Sequence, residues 1–549
     1  MKLIDVLLKV PSGSEKISRR ILIALIVFPF LTTGLITDNP RKAVIWKRWE
    51  YTLTANNKPE GKPAEIIVKF SGPNGKSFSN NAFTDDGIVF KFRASFPAAG
   101  KWTWITECSD PSDKGLHNKR GKVSVARYSG ENPLYRHGDL KVSENKRYLV
   151  HADGKPFLWI GDTGWNVLLR STMGEWRDYV DKRLDQGFTV IQVVPKGAAK
   201  VPEKTAKGTL SFKSDGTPDP AYWQDVENKV AYANDKGIIV FFTGMGGSWK
   251  NLFAENNFNQ SFTTYIAGRF SGHFVIFSPS MDQRYDEGND KTAEELNPLT
   301  THLVTQHPGT HYETSLRYRN SPWLDFCGLQ SGHHSGNLTK AYNAARAWTL
   351  DMYNGTPVKP VINIEAMYDA YGHDNAKNWR EKDVRKLGWM SWLSGSMGYT
   401  YGAGDIPPKV PGGSGGIWRY NTDSATYDFW RKAMLWPSAG QMTIMRQFFE
   451  TLKWWELMPS HDLIINQASD ETLKMTVSKS SGSDLLLAYL PDNQSVELDL
   501  SGLPGLKEGK WFNPVTGVYI EVNQPFTQGS RNTFSRPQGW EDAVLILKK

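Results

Sequence analysis

The period of hydrophobic and polar positions changes twice along the chain, and the changes divide it. Through residues 40–135 the runs AEIIVKF, GIVFKFRASF and KWTWITEC alternate or are rich in β-branched and aromatic residues. The clusters SGPNGKS, TDDG, FPAAGK and SDPSDKG separate them at a spacing that predicts an antiparallel β-sandwich of the immunoglobulin type. From about Lys155 the texture shifts to short runs apolar on both faces, each set off by an amphipathic helical stretch. PFLWIGDTGW is followed by GEWRDYVDKRLDQG, with Gly187 at the expected helix C-terminus. FTVIQVV comes next, and YWQDVENKVAYANDKG leads into IIVFFTGMGG. HFVIFSPSMD, THLVTQHPG, WLDFCGLQSGHH, PVINIEAMYD and GYTYGAGDI complete eight strand candidates. Their number and order predict a (β/α)8 barrel, a TIM barrel, over 136–445. A doubly wound open sheet is the competing arrangement, but no G-x-G-x-x-G turn follows the first strand. Residues 446–549 are strand-rich again, through ETLKMTVSK, DLLLAYLP, SVELDLS, KWFNPVTGVYIEV and AVLILKK, and predict a small C-terminal β-sandwich.

One apolar run fits none of these. Lys16, Arg19 and Arg20 precede ILIALIVFPFLTTGLIT at 21–37, which has signal-peptide length and is interrupted by Pro29. Residues 1–37 therefore read as a signal peptide or a retained N-terminal anchor. Either predicts an exported protein, periplasmic, at the cell surface or secreted, with membrane contact only through that anchor.

Composition narrows the function classes. Of the net charge of +8, residues 1–37 supply five cations against Asp5 and Glu15, which leaves +5 scattered over the rest. That is no footprint for nucleic acid. The chain has 21 Trp and 21 Tyr, flat faces that serve cores and sugar C–H groups alike. Cys108 and Cys327 fall in different expected domains, so neither a disulfide nor a zinc site is expected from them. His302, His307 and His311 are spaced by five and four residues and do not share a helix face; His307 reads as a strand-to-loop turn. No metal and no cofactor is expected, and the oligomeric state is left open.

Several expected barrel strands end in polar groups: Asp162 before Trp165, Asp282 after Ser280 and Met281, Gln330 before His333, and Glu365 before Tyr368. The C-terminal rim of a barrel is where such groups can act together. Acetal hydrolysis needs two carboxyl groups across the scissile bond, and Asp282 and Glu365 are placed to supply them. Asp162 could bind sugar hydroxyls or hold its own turn. Trp165 is a candidate stacking floor or a buried brace. Gln330 and His333 are candidates for contacts near the scissile bond. Tyr368 and Tyr401 are candidates to orient Glu365 or to line the subsite. Trp418, beyond the Pro/Gly-rich run 407–416, could overhang the cleft.

The segment YLVHADGKPFLWIGDTGWNVLL, with QGFTVIQVV after it, resembles the catalytic domain of apiosidase-type glycoside hydrolases; LVTQHPGTHYETS, WLDFCGLQSGH and PVINIEAMYD resemble further signatures of that group. WFNPVTG in the tail is similar to a small collagen-binding-like β domain. The resemblance implies a (β/α)8 fold and a retaining mechanism, with the family's nucleophile at Glu365 and its acid/base at Asp282. The family's Gly-Gly-Asp-Arg-Asn-like turn is altered here to Ser280-Met281-Asp282-Gln283. The expected function is a retaining hydrolase of a plant or algal polysaccharide or oligosaccharide. A carbohydrate-binding protein without turnover and an adhesion protein are the alternatives; the sugar, the linkage and endo or exo action stay open.

Overall fold

The computed structural model describes residues 41–57, 63–195, 209–213, 217–245, 259–310, 312–332, 334, 337–369, 380–403 and 429–549. The expected signal or anchor segment lies outside them, and no helix among the described residues is long and apolar enough to cross a membrane.

The first part is all β. A five-stranded sheet runs in the order Arg41–Val44, Arg120–Ala126, Gly100–Cys108, Ile66–Ser71, Ser77–Asn81, and a three-stranded one joins Arg48–Thr54, Val89–Ser95 and Phe83–Thr84. Alternate residues such as Phe70, Trp102 and Trp104 from the first sheet and Phe90 and Phe92 from the second share one apolar cluster.

Seven parallel strands then form one curled sheet in the order Val275–Phe277, Ile239–Phe242, Val190–Val193, Trp159–Thr163, Gly398–Tyr401, Val361–Glu365, Cys327–Gln330. THLVTQH contributes no full strand. It closes the ring through single parallel bridges, Val304 to Phe277 and Thr305 to Phe326. The result is a TIM-like barrel with β domains attached. Trp159, Val190, Ile239, Phe241, Ile276, Phe326, Ile362 and Ile364 fill its interior. Ile160, Ile191, Val240, Phe277, Tyr399 and Tyr401 face outward to the helices. Leu140 and Leu149 of a short hairpin join the interior cluster, together with Leu134 and Phe157.

Helix Met173–Asp185 starts on a capping box of Thr172 and Glu175, and Gly187 turns the chain out of it at φ +84°. Helix Pro220–Asp235 begins on Asp219, whose carboxylate accepts from the Ala221 N–H at 2.8 Å. Helix Pro437–Glu450 runs through residue 446, so the strands of the tail begin only at Leu457. They form a six-stranded antiparallel sheet and a two-stranded pair, Ser495–Asp499 with Arg531–Ser535, around a separate core. Cys108 and Cys327 are buried and free.

Candidate active site

The strand phases decide which polar groups enter the barrel. Gln192 shares the inward phase of Val190, and Gln330 that of Phe326. Counted from Ile362, Glu365 would face outward. The register with the neighbouring strand slips here: Leu329 pairs with Asn363 but Gln330 pairs with Glu365. The extra residue is a β-bulge at Ile364, which turns Glu365 back toward the barrel mouth.

Glu365 is 3% exposed, and the side chains of Tyr368 and His307 reach its carboxylate. Tyr368 donates its O–H to Oε1. His307 Nε2 lies 3.3 Å from Oε2. Trp165 donates its indole N–H to Tyr368 Oη at 3.0 Å, and its ring meets His307 nearly edge-on at 5.3 Å between centroids. The turn after Glu365 is held by two close backbone approaches. A Cβ on Gly332 would stand 2.5 Å from the Ala366 carbonyl, and one on Gly402 would stand 2.1 Å from the Tyr368 ring.

Asp282 approaches the same imidazole from the other side. It is exposed and left-handed at φ +46°, a conformation Asp tolerates better than most residues. Its main-chain N–H donates to His307 Nδ1 at 3.2 Å. Ser280 Oγ accepts from the His307 N–H at 2.8 Å. The Ser280 and Ser278 carbonyls accept from the N–H groups of Gly244 and Met245, both at 3.0 Å. Directly after Asp282, a cavity of about 530 Å³ is lined by Arg284, Tyr285, Glu313, Thr314 and Arg317.

Gln330 is in place at the rim, 2% exposed, with an Oε1 that has no hydrogen-bond partner among the described residues. His333 and Trp418 lie outside the described residues. Trp165 reaches the site 4% exposed, in the position of a buried brace, one of its two expected readings.

Asp162 and Tyr401 point away from the barrel mouth. They are register partners on neighbouring strands, in the outward phase of Ile160 and Tyr399. Asp162 is fully buried, takes the Tyr179 O–H and pairs with Arg183 at 2.7 Å. Tyr401 meets Ser438 Oγ at 3.0 Å, and its ring lies 5.5 Å from the Arg183 guanidinium. Both anchor the helix layer behind the wall of the site. The residues that sequence reasoning missed are His307, Gln192 and Ser280. A His closing the fifth barrel segment was the available signal. Among the described residues no cluster of three metal-ligating side chains occurs. His302 meets Asp139 at 2.9 Å, and His311 lies outside the described residues.

The geometry can be set beside known proteins. The family model described as "Apiosidase-like, catalytic domain" matches residues 143–456, more than half of the chain. The protein belongs to the apiosidase-like family. A second model, "Putative collagen-binding domain of a collagenase", matches residues 458–548. A solved glycoside hydrolase family 5 protein from Bacteroides vulgatus ATCC 8482 is 24% identical, with a TM-score of 0.67 over 77% of this chain and 95% of that chain. A structure titled "Glycoside hydrolase" is 25% identical, with a TM-score of 0.66 over 77% of this chain and 99% of that one. No curated protein matches the chain. This apiosidase-like chain is thus a glycoside hydrolase, with its catalytic domain in the barrel and a collagen-binding-like domain behind it.

Proposed function

We propose that the protein cleaves a glycosidic bond with retention of configuration, Glu365 attacking the anomeric carbon and Asp282 serving as acid and then base. The observation that carries this reading is the shared imidazole. His307 touches the main chain of Asp282 on one nitrogen and the Glu365 carboxylate on the other. Both residues therefore border one imidazole at the barrel mouth. Glu365, held by the Tyr368 phenol, is suited to attack. Asp282, exposed on its turn, is suited to proton exchange with a leaving group and then with water. In a retaining enzyme the two carboxyl groups act about 5–5.5 Å apart.

The substrate we propose is a plant or algal polysaccharide, met outside the cell if residues 1–37 direct export. The cavity that follows Asp282 along the chain sets Arg284 and Arg317 against the single carboxylate of Glu313, a lining that suits a glycan carrying anionic groups. The immunoglobulin-type sandwich at the front is proposed as a packing module for the barrel.

The test is a glycan screen with wild type, Glu365→Gln and Asp282→Asn, following released sugar and the anomer formed first by proton NMR. Glu365→Gln is expected to abolish release. Asp282→Asn should lose about 10²–10⁴-fold on natural linkages. Wild type that binds a glycan and releases nothing would replace this reading by a sugar-binding one.

A further inference from the structure

The hydrogen bonds around His307 fix more than its position. A main-chain N–H can only donate, so the Asp282 N–H at 3.2 Å requires an unprotonated Nδ1 on His307. The ring is then neutral, and its one proton sits on Nε2. That nitrogen faces the Glu365 Oε2 at 3.3 Å and the Gln192 side-chain amide at 2.9 Å. The nearer amide atom is assigned as nitrogen, which would set N–H against N–H. Turning the amide over brings Oε1 to the imidazole, and Gln192 Oε1 is the buried atom that otherwise has no hydrogen-bond partner. The N–H is thus bonded to the Gln192 carbonyl oxygen, and the Glu365 carboxylate stands 3.3 Å from the same nitrogen as its charged neighbour.

We propose that His307 is a positioning residue locked in its Nε2–H tautomer, which sets the Asp282 turn and the Glu365 carboxylate relative to each other. The inference rests on the hydrolase reading above. Its Nδ1 holds the acid-bearing turn, a non-glycine residue in left-handed backbone, and its Nε2–H orients the attacking carboxylate. Ser280 Oγ pins the His307 main chain, so the ring is constrained at both ends. When Glu365 becomes a glycosyl ester it is a weaker acceptor, and Gln192 keeps the N–H satisfied. No proton leaves the ring in either half of the reaction.

Two variants separate the two ends. Asn in place of His307 keeps an acceptor near the Nδ1 position and loses the donor toward Glu365. Gln keeps a donor near Nε2 and loses the acceptor for the Asp282 turn. On the glycan that wild type hydrolyses, both His307→Asn and His307→Gln are expected to lower kcat about 10–100-fold with KM within about threefold. The 2,4-dinitrophenyl glycoside of the released sugar needs no proton on its leaving group. On it the kcat/KM of His307→Gln, which reports the first step alone, should return to within about threefold of wild type, while that of His307→Asn stays low. Equal losses for both variants on both substrates would mean a merely structural imidazole and would overturn the proposal. Independently, ¹⁵N spectra of ring-labelled wild type, with the His307 signals assigned by their loss in His307→Gln, should show a pyridine-type Nδ1 and a pyrrole-type Nε2 at pH 7. An Nδ1–H tautomer or an imidazolium overturns it too. Failure of wild type to release any sugar sinks the hydrolase reading itself, and the ring-nitrogen spectrum still decides the tautomer.

Discussion

At the scale of single residues, the position of Asp162 shows how one carboxylate can be removed from the chemistry. It lies behind the wall of the site, fully buried against the equally buried Arg183, with Tyr179 donating to the same oxygen. Arg183 also donates to Gln186 at 2.7 Å and lies over Phe188 at 4.8 Å, so its charge has no route to water. Asp162→Asn therefore leaves a guanidinium in an apolar layer with its counter-charge gone. A loss of about 3–5 kcal/mol is expected in urea unfolding. Turnover measured well below the unfolding transition should stay within about threefold of wild type, because nothing in the site touches Asp162. Unchanged stability with a tenfold rise in KM would restore Asp162 as a sugar ligand. By contrast, Gln330 is inward and buried, and its Oε1 has no hydrogen-bond partner among the described residues, so we propose it as a substrate contact.

At the scale of elements, the strands were readable and their phases were not. Runs such as FLWIGDT, FTVIQVV and PVINIE are apolar on both faces, and every residue of Trp159–Thr163, Val190–Val193 and Val361–Glu365 is buried. A strand buried on both sides carries no period-2 signal, so sequence alone could not say that Asp162 and Tyr401 face the helices while Gln192 and Gln330 face the barrel. Nor could it show the bulge at Ile364, without which Glu365 would point away. The fifth barrel segment was a weak pattern because it makes only isolated bridges, and that weakness hid His307. Another histidine gives an element-scale test. Beyond helix Glu381–Leu393, Ser394 Oγ meets His461 Nε2 at 3.1 Å, and His461 Nδ1 accepts the Val477 N–H at 3.0 Å. Burial pushes this imidazole down from the ordinary 6.5 to about 4. The folded chain keeps it neutral, whereas the unfolded chain takes up a proton below about pH 6.5. Its contribution is therefore present above that pH and is lost as pH falls toward 4, a span worth about 3 kcal/mol. Thermal melts of wild type and His461→Gln should diverge across this window, wild type losing stability more steeply on acidification. Parallel curves would show that the docking of the tail does not depend on that proton.

At the scale of the whole molecule, the barrel shares its packing with both β regions. On the N-terminal side Glu227 gathers three guanidinium groups, Arg48 at 2.7 Å, Arg93 at 2.8 Å and Arg269 at 3.1 Å, two of them brought by the front sheets. On the C-terminal side Leu487, Tyr489, Phe512, Val544 and Ile546 lie in the same apolar cluster as Trp389, Phe448 and Phe449 of the barrel helices. Trp389 and Tyr489 stack at 6.0 Å and 20°. Arg385, buried on a barrel helix, donates to Asp542 at 2.9 Å and to Glu541 at 2.9 Å, while the Tyr489 O–H gives Asp542 a further bond at 2.7 Å. A tail joined by a linker would melt by itself; one that completes the helix layer should not. Calorimetry of the full chain is therefore expected to show no separate transition for residues 458–548. Arg385→Met strands the fully buried Asp542, and it should cost about 3–5 kcal/mol and lower the melting of the barrel together with that of the tail. The readout is sugar release after brief heating, which reports the barrel alone. If Arg385→Met gave a low-temperature transition that left this activity intact, the tail would be an appended module. If activity and the transition fall together, the collagen-binding-like domain is part of the wall that supports the catalytic barrel, whatever else its outer surface binds.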